Sequence, residues 1–139
     1  LKRIVREQRN SLPSEIESVE AAAEMAAVFV NAGGYGDEFA YAVDLAVRES
    51  VANAVKHGNK FDPEKSVDVI FADVDGGVEI LIRDYGSGFS PEDVPDPTDP
   101  ENLLAASGRG ILFMRSFMDV VEWSNADGGG SIVRMVKHS

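Results

Sequence analysis

Cysteine is absent, histidine occurs twice, tryptophan once, and the 13 lysines and arginines are outnumbered by 24 aspartates and glutamates. Without thiols the chain can form no disulfide, no thiolate metal site and no cysteine nucleophile, which accords with a reducing cytoplasm. The two histidines, His57 and His138, lie far apart, so zinc lacks its usual ligands. The formal net charge of -11 repels a nucleic-acid backbone and argues against direct DNA or RNA binding. It suits a basic protein partner and plain solubility equally well. No apolar run approaches the roughly 18 residues that span a bilayer, and the N-terminus lacks a signal pattern, so a cytosolic chain without a membrane anchor is expected. Also missing are GxxxxGK[ST] and a GxGxxG after the first strand, which disfavours the two commonest nucleotide folds.

What remains is an ordinary globular composition: 139 residues, 44% hydrophobic and 27% charged, enough to bury a core in one domain spanning residues 1–139. The chain opens on Leu1 rather than methionine, which leaves open whether it is one domain of a longer protein. After the weakly patterned "LKRIVREQR", Ser14 and Glu17 form a capping-box pattern before an apolar series running from Ile16 to Val30. "NAGGYG" interrupts it, and Asp37 is placed to cap a second helix that ends near Gly58 in a left-handed conformation. Two helices are therefore expected first. "SVDVIFADV" and "VEILIRD", joined by "DGG", read as a β-hairpin, and "DVVEWSN" and "SIVRMVKH" around "ADGGG" read as a second in the same sheet. Between the hairpins lies an acidic stretch holding four of the six prolines, followed by "ILFMRSFM", which reads as a short helix.

Within the second helix, Glu49, Asn53 and His57 recur every fourth residue in an otherwise apolar run. At about 100 degrees per residue they form a slanted row, with Phe39, Val43, Ala46, Ser50 and Ala54 in the same sector and Glu49 at its edge. Polar groups at a core margin cost about 1–3 kcal/mol each unless they gain partners. Crossing loops or trapped water could satisfy them, and so could a ligand.

Two glycine motifs bear on that choice. "RDYGSGFS" places Asp84, Gly86 and Gly88 after a strand, where a carboxylate can accept from the amino group of a heterocycle and glycines allow close backbone approach. "SGRGILFM" places Gly108, Arg109 and Gly110 before a helix, a combination of backbone NH groups and guanidinium suited to phosphate. Trp123 and the phenylalanines read as core residues, and His57 as a satisfied residue near the helix end.

In order, "ESVANAVKHG", "DYGSG" and "GRGILFM" resemble the N, G1 and G2 boxes of the GHKL (Bergerat-fold) ATPases, and the "ANAVKHG" wording in a short chain is similar to the anti-sigma-factor serine/threonine kinases. The resemblance covers the chain from about Ser14 to the C-terminus. It implies a two-layer α/β sandwich, a mixed and mostly antiparallel sheet with helices on one face, and ATP held under a lid of residues 89–107. It also implies that Asn53 ligates Mg²⁺, that Asp84 binds the adenine amino group, and that Gly86 and Gly88 shape the adenine pocket. Gly108, Arg109 and Gly110 would contact phosphates, and Glu49 would be the catalytic base. Ser131 stands where threonine is common and would keep a hydroxyl near the adenine. The implied function is a serine/threonine kinase, a homodimer, that sequesters a sigma factor and phosphorylates an anti-sigma-factor antagonist. The alternative is a catalytically inactive nucleotide-binding module that regulates a partner by binding alone. A sensor histidine kinase domain is disfavoured, because no upstream pair of phosphoacceptor helices is present.

Overall fold

Alternation in the valine- and isoleucine-rich segments produces strands with one buried face. A computed structural model of the chain describes residues 6–86 and 114–139. In β2 (Ser66–Val74) Val67, Val69 and Phe71 are buried, and in β3 (Gly77–Arg83) Val78, Ile80 and Ile82 are buried. The two pair through a two-residue Asp75–Gly76 turn, with Val74 opposite Gly77. β4 (Val120–Asn125) and β5 (Ser131–His138) form the second expected hairpin, closed at Asn125 opposite Ser131.

A further strand, β1 (Glu7–Pro13), lies in the opening segment where no element was expected. It pairs with β2 from Glu7 opposite Ala72 to Pro13 opposite Ser66, so a strand precedes the two helices. The sheet order is β1-β2-β3-β5-β4, and all four pairings are antiparallel. Arg6 anchors the β1 end: its guanidinium donates to both Asp73 oxygens and to the Phe29 carbonyl, and lies 4.1 Å from the centre of the Phe29 ring.

The helices α1 (Glu17–Ala32) and α2 (Asp37–Asn53) pack on one face of the sheet, with Ala26, Phe29 and Val30 of α1 and Val43, Val47 and Val51 of α2 in the core. Their caps differ from expectation. The first helix begins at Glu17 without a side-chain capping bond, and the buried Ser14 hydroxyl has no partner among the described residues. The chain enters α1 directly from the end of β1, and the Ser18 hydroxyl donates to the Pro13 carbonyl instead. Asp37 is the first residue of α2, not its cap; Gly36 precedes it and the carboxylate sits where the helix dipole favours negative charge. Residues 114–117 form a helical turn with Met114 buried, whereas residues 111–113 of the expected short helix lie outside the described residues. Trp123 is half-buried against the core, but Phe61 is 53% exposed and departs from the expected core set. Among the described residues no helix is long and apolar enough to cross a membrane.

Phe71 is fully buried and stacks on Phe29 with ring centroids 5.7 Å apart. Phe71→Ala is expected to cost about 3–5 kcal/mol in urea unfolding, and a loss below about 1 kcal/mol would place the core elsewhere.

Candidate functional site

α2 carries Glu49 and Asn53 on its last two turns, both half-buried as their place at the core margin requires. Burial pushes the Glu49 carboxyl above the usual carboxylate range, opposed by the nearby charges of Lys56 and His57 and by a side-chain hydrogen bond with Asn53. The row does not extend to His57, which is exposed. From Ala54 to Gly58 the helix widens into a π-turn, closed by the Asn59 NH donating to the Ala54 carbonyl at 2.8 Å. That wider winding breaks the four-residue recurrence and turns His57 outward. Gly58 is not left-handed; the positive φ angles fall two and three residues later, at Lys60 and Phe61.

Gly58 has a different reason to be glycine. A Cβ there would stand 2.3 Å from the Asp84 Cγ, so the end of the helix lies directly against the buried carboxylate that follows β3. Asp84 is only 7% exposed. Its Oδ2 accepts from the Ser131 hydroxyl at 2.7 Å, and its Oδ1 accepts from the backbone NH groups of Gly86 at 3.0 Å and Ser131 at 3.3 Å. The Asp84 NH donates to the Ser131 carbonyl at 3.0 Å, which locks the β3 end to the start of β5. A Cβ on Gly86 would come within 2.0 Å of the Gly58 carbonyl oxygen, so this glycine allows backbone to meet backbone within the protein.

Of the residues expected at the site, Gly86 and Ser131 surround the Asp84 carboxylate, with the end of the helix that carries Glu49 and Asn53 against it. Gly88, Gly108, Arg109, Gly110 and the lid at 89–107 lie outside the described residues. In the sequence Gly58 and Gly130 read only as helix end and turn, and Asn59 is not singled out. Asn59 is buried, and its side chain bonds to Ser66 and Tyr85. Gly130 has φ +86°, and a Cβ on it would lie 1.9 Å from the Asp84 carbonyl oxygen. The run of three glycines before Ser131 was the available signal, since a hairpin turn alone does not need so many. Gly130→Ala combines a left-handed backbone with a steric clash and is expected to destabilise by about 2 kcal/mol or more in urea unfolding. An unchanged midpoint would mean that Asp84 is not held as described.

A buried acceptor beside a helix bearing a second carboxylate and an amide can orient a ligand that presents donors to one end and negative charge with a cation to the other. Residues 12–137 match the family model described as the histidine kinase-like ATPase domain. The anti-sigma F factor of Heyndrickxia coagulans is 40% identical over 97 residues, covering 66% of this chain and 65% of that protein. Those of Halalkalibacterium halodurans and Bacillus subtilis are 39% identical over 101 residues and 34% over 100, each covering 69% of this chain and 67% of the relative. The chain spans about two thirds of the length of these curated relatives. By its sheet and helices and by these matches, the chain belongs to the histidine kinase-like ATPase domain family, alongside the anti-sigma F factors.

Proposed function

We propose that this domain binds ATP with Mg²⁺ between α2 and the Asp84 corner and transfers phosphate to a serine or threonine of a protein partner. It acts as an anti-sigma factor: it holds a sigma factor and phosphorylates the antagonist that would release it. The observation that carries this reading is the contact between Gly58 and Asp84, which sets the end of the Glu49–Asn53 helix against a buried carboxylate.

The residues fit the nucleotide chemically. A carboxylate offers about four acceptor positions, and the described residues fill three at Asp84, which leaves room in that set for an amino group of adenine. Ser131 holds that carboxylate in place. Asn53 lies one turn beyond Glu49 on α2, and its amide oxygen is the kind of ligand a hard cation takes. Among the described residues no group of three or more His, Asp or Glu side chains forms a metal cage, and Mg²⁺ in phosphoryl-transfer sites is commonly held by one or two side chains plus phosphates. Gly88 is assigned to the adenine pocket, and Gly108, Arg109 and Gly110 to the phosphates.

ATP, when bound, would supply the γ-phosphoryl group: the acceptor oxygen would bond to the γ-phosphorus as that atom's bond to the β–γ bridging oxygen breaks and ADP leaves. Glu49 takes the proton of the incoming hydroxyl. Burial raises its proton affinity toward that of a useful base. The domain works in the cytoplasm as a homodimer, and light scattering would read a concentration-independent monomer if the dimer is wrong.

Incubating the domain with Mg-ATP and a verified cognate antagonist should yield a phosphoserine or phosphothreonine on the antagonist. ATP-induced stabilisation without any phosphoprotein would instead identify a binding-only regulator.

A further inference from the structure

Asn59 follows the widened turn and is almost fully buried, at 2% exposure. Both ends of its amide are engaged with segments distant in sequence. Its Nδ2 donates to the Ser66 carbonyl at the start of β2 at 2.9 Å, and its Oδ1 accepts from the Tyr85 NH at 2.8 Å. Tyr85 lies between Asp84 and Gly86, so this bond fixes the peptide from which the proposed adenine-binding carboxylate and its glycine neighbour extend.

The backbone around Asn59 is unusual in a way that serves this placement. Lys60 and Phe61 have φ of 53° and 59°, an unfavourable conformation for residues with long or bulky side chains. The Phe61 ring is exposed, so side-chain burial does not offset that conformation. Backbone bonds hold the reversal instead: Phe61 NH to the Val55 carbonyl at 2.9 Å and Asp62 NH to the Asn59 carbonyl at 3.1 Å. The outcome is an amide wedged between β2 and the end of β3.

We infer that Asn59 is a positioning residue for the nucleotide site: by accepting from Tyr85 it holds Asp84 and Gly86 in register with the end of α2. The inference rests on the ATP reading and adds a residue that touches no nucleotide itself. A residue that only supports the fold would change binding in proportion to stability; a positioning residue would not.

Two substitutions separate these cases. Asn59→Ala loses both bonds, whereas Asn59→Asp keeps the acceptor for Tyr85 but sets an oxygen against the Ser66 carbonyl, so it should be no more stable than the alanine variant. With folding checked by circular dichroism, calorimetric affinity for Mg-ADP is expected to fall about tenfold or more in Asn59→Ala and to return to within about threefold of wild type in Asn59→Asp. Equal weakening in both variants, or unchanged affinity in Asn59→Ala, overturns the inference. Should Asn59→Ala fail to fold, the wild-type protein decides: its Tyr85 amide and Asn59 side-chain resonances should shift on adding Mg-ADP, and stationary resonances overturn the inference. A wild type that binds no nucleotide overturns the ATP reading together with this one; a wild type that binds while the variants match it overturns only the role of Asn59.

Discussion

Glu49→Gln is expected to lower phosphate transfer to the antagonist by about 10²–10⁴-fold, the usual contribution of a positioned general base. Affinity for Mg-ADP should stay within about threefold, because the amide keeps the shape of the side chain and the proposed base acts only on the acceptor hydroxyl. Single-turnover phosphorylation and calorimetry measure the two quantities separately. Equal loss of both would make Glu49 a binding residue, and loss of neither would support a regulator without catalysis.

The same substitution has a signature in the free domain. Burial raises the Glu49 carboxyl in the folded chain, so the folded state retains its proton to higher pH than the unfolded state. The group therefore contributes stability that is fully present below the unfolded pKa and lost as pH rises through the folded value. At pH 7, well above the unfolded value, the burial of Glu49 costs stability, and Glu49→Gln should raise the melting temperature. Near or below about pH 4, where the unfolded carboxyl is also protonated, the gain should vanish. Transfer by the wild type should decline on acidification from above the ordinary glutamate range. A melting temperature unchanged at both pH values would show that the site does not disfavour the charge.

Asp84→Ala is expected to have the largest effect on the nucleotide site. Among the described residues three donors converge on this carboxylate, from the Ser131 hydroxyl and the NH groups of Gly86 and Ser131, and alanine strands all of them. Each buried group left without a partner costs about 1–3 kcal/mol, so a loss of about 3 kcal/mol or more is expected in urea unfolding. Asp84→Asn keeps the shape and one acceptor oxygen and should spare more of the stability. It should still weaken Mg-ADP binding by about tenfold to 100-fold, since a hydrogen bond to a charged acceptor is worth about 1.5–3 kcal/mol. An Asn variant that binds ADP like the wild type would remove Asp84 from the adenine site.

The features legible in the sequence were those written as local periodicity. β2 and β3 declare themselves by valine and isoleucine alternation around an Asp-Gly turn, and α2 by its apolar stripe with Glu49 and Asn53 at the margin. β1 was illegible because an edge strand needs little apolar patterning: "EQRNSLP" buries only Leu12, and its pairing partner β2 lies more than fifty residues away. The Ser14 cap failed for a related reason. The strand ending at Pro13 decides how the chain enters α1, and a local cap motif carries no record of that strand.

The site divides the same way. Glu49 and Asn53 are neighbours along one helix, and Asp84 and Gly86 along one segment, so spacing exposed each pair. The requirements at Gly58, Asn59 and Gly130 come from approaches across the fold, to Asp84, Tyr85 and the Asp84 carbonyl. Such constraints look like helix stops and turns when read along the chain. The π-turn is also a tertiary outcome: no residue in "AVKHG" demands it, but it brings Gly58 against Asp84 and turns His57 to the surface.

Titration of the wild-type domain and Asp84→Asn with Mg-ADP, in one calorimetric experiment, tests the central claim most directly. Saturable one-site binding by the wild type and affinity at least about tenfold weaker in the variant are predicted. Absence of binding by the wild type, or equal affinity in the two proteins, would contradict an adenine nucleotide site built on the Asp84 corner.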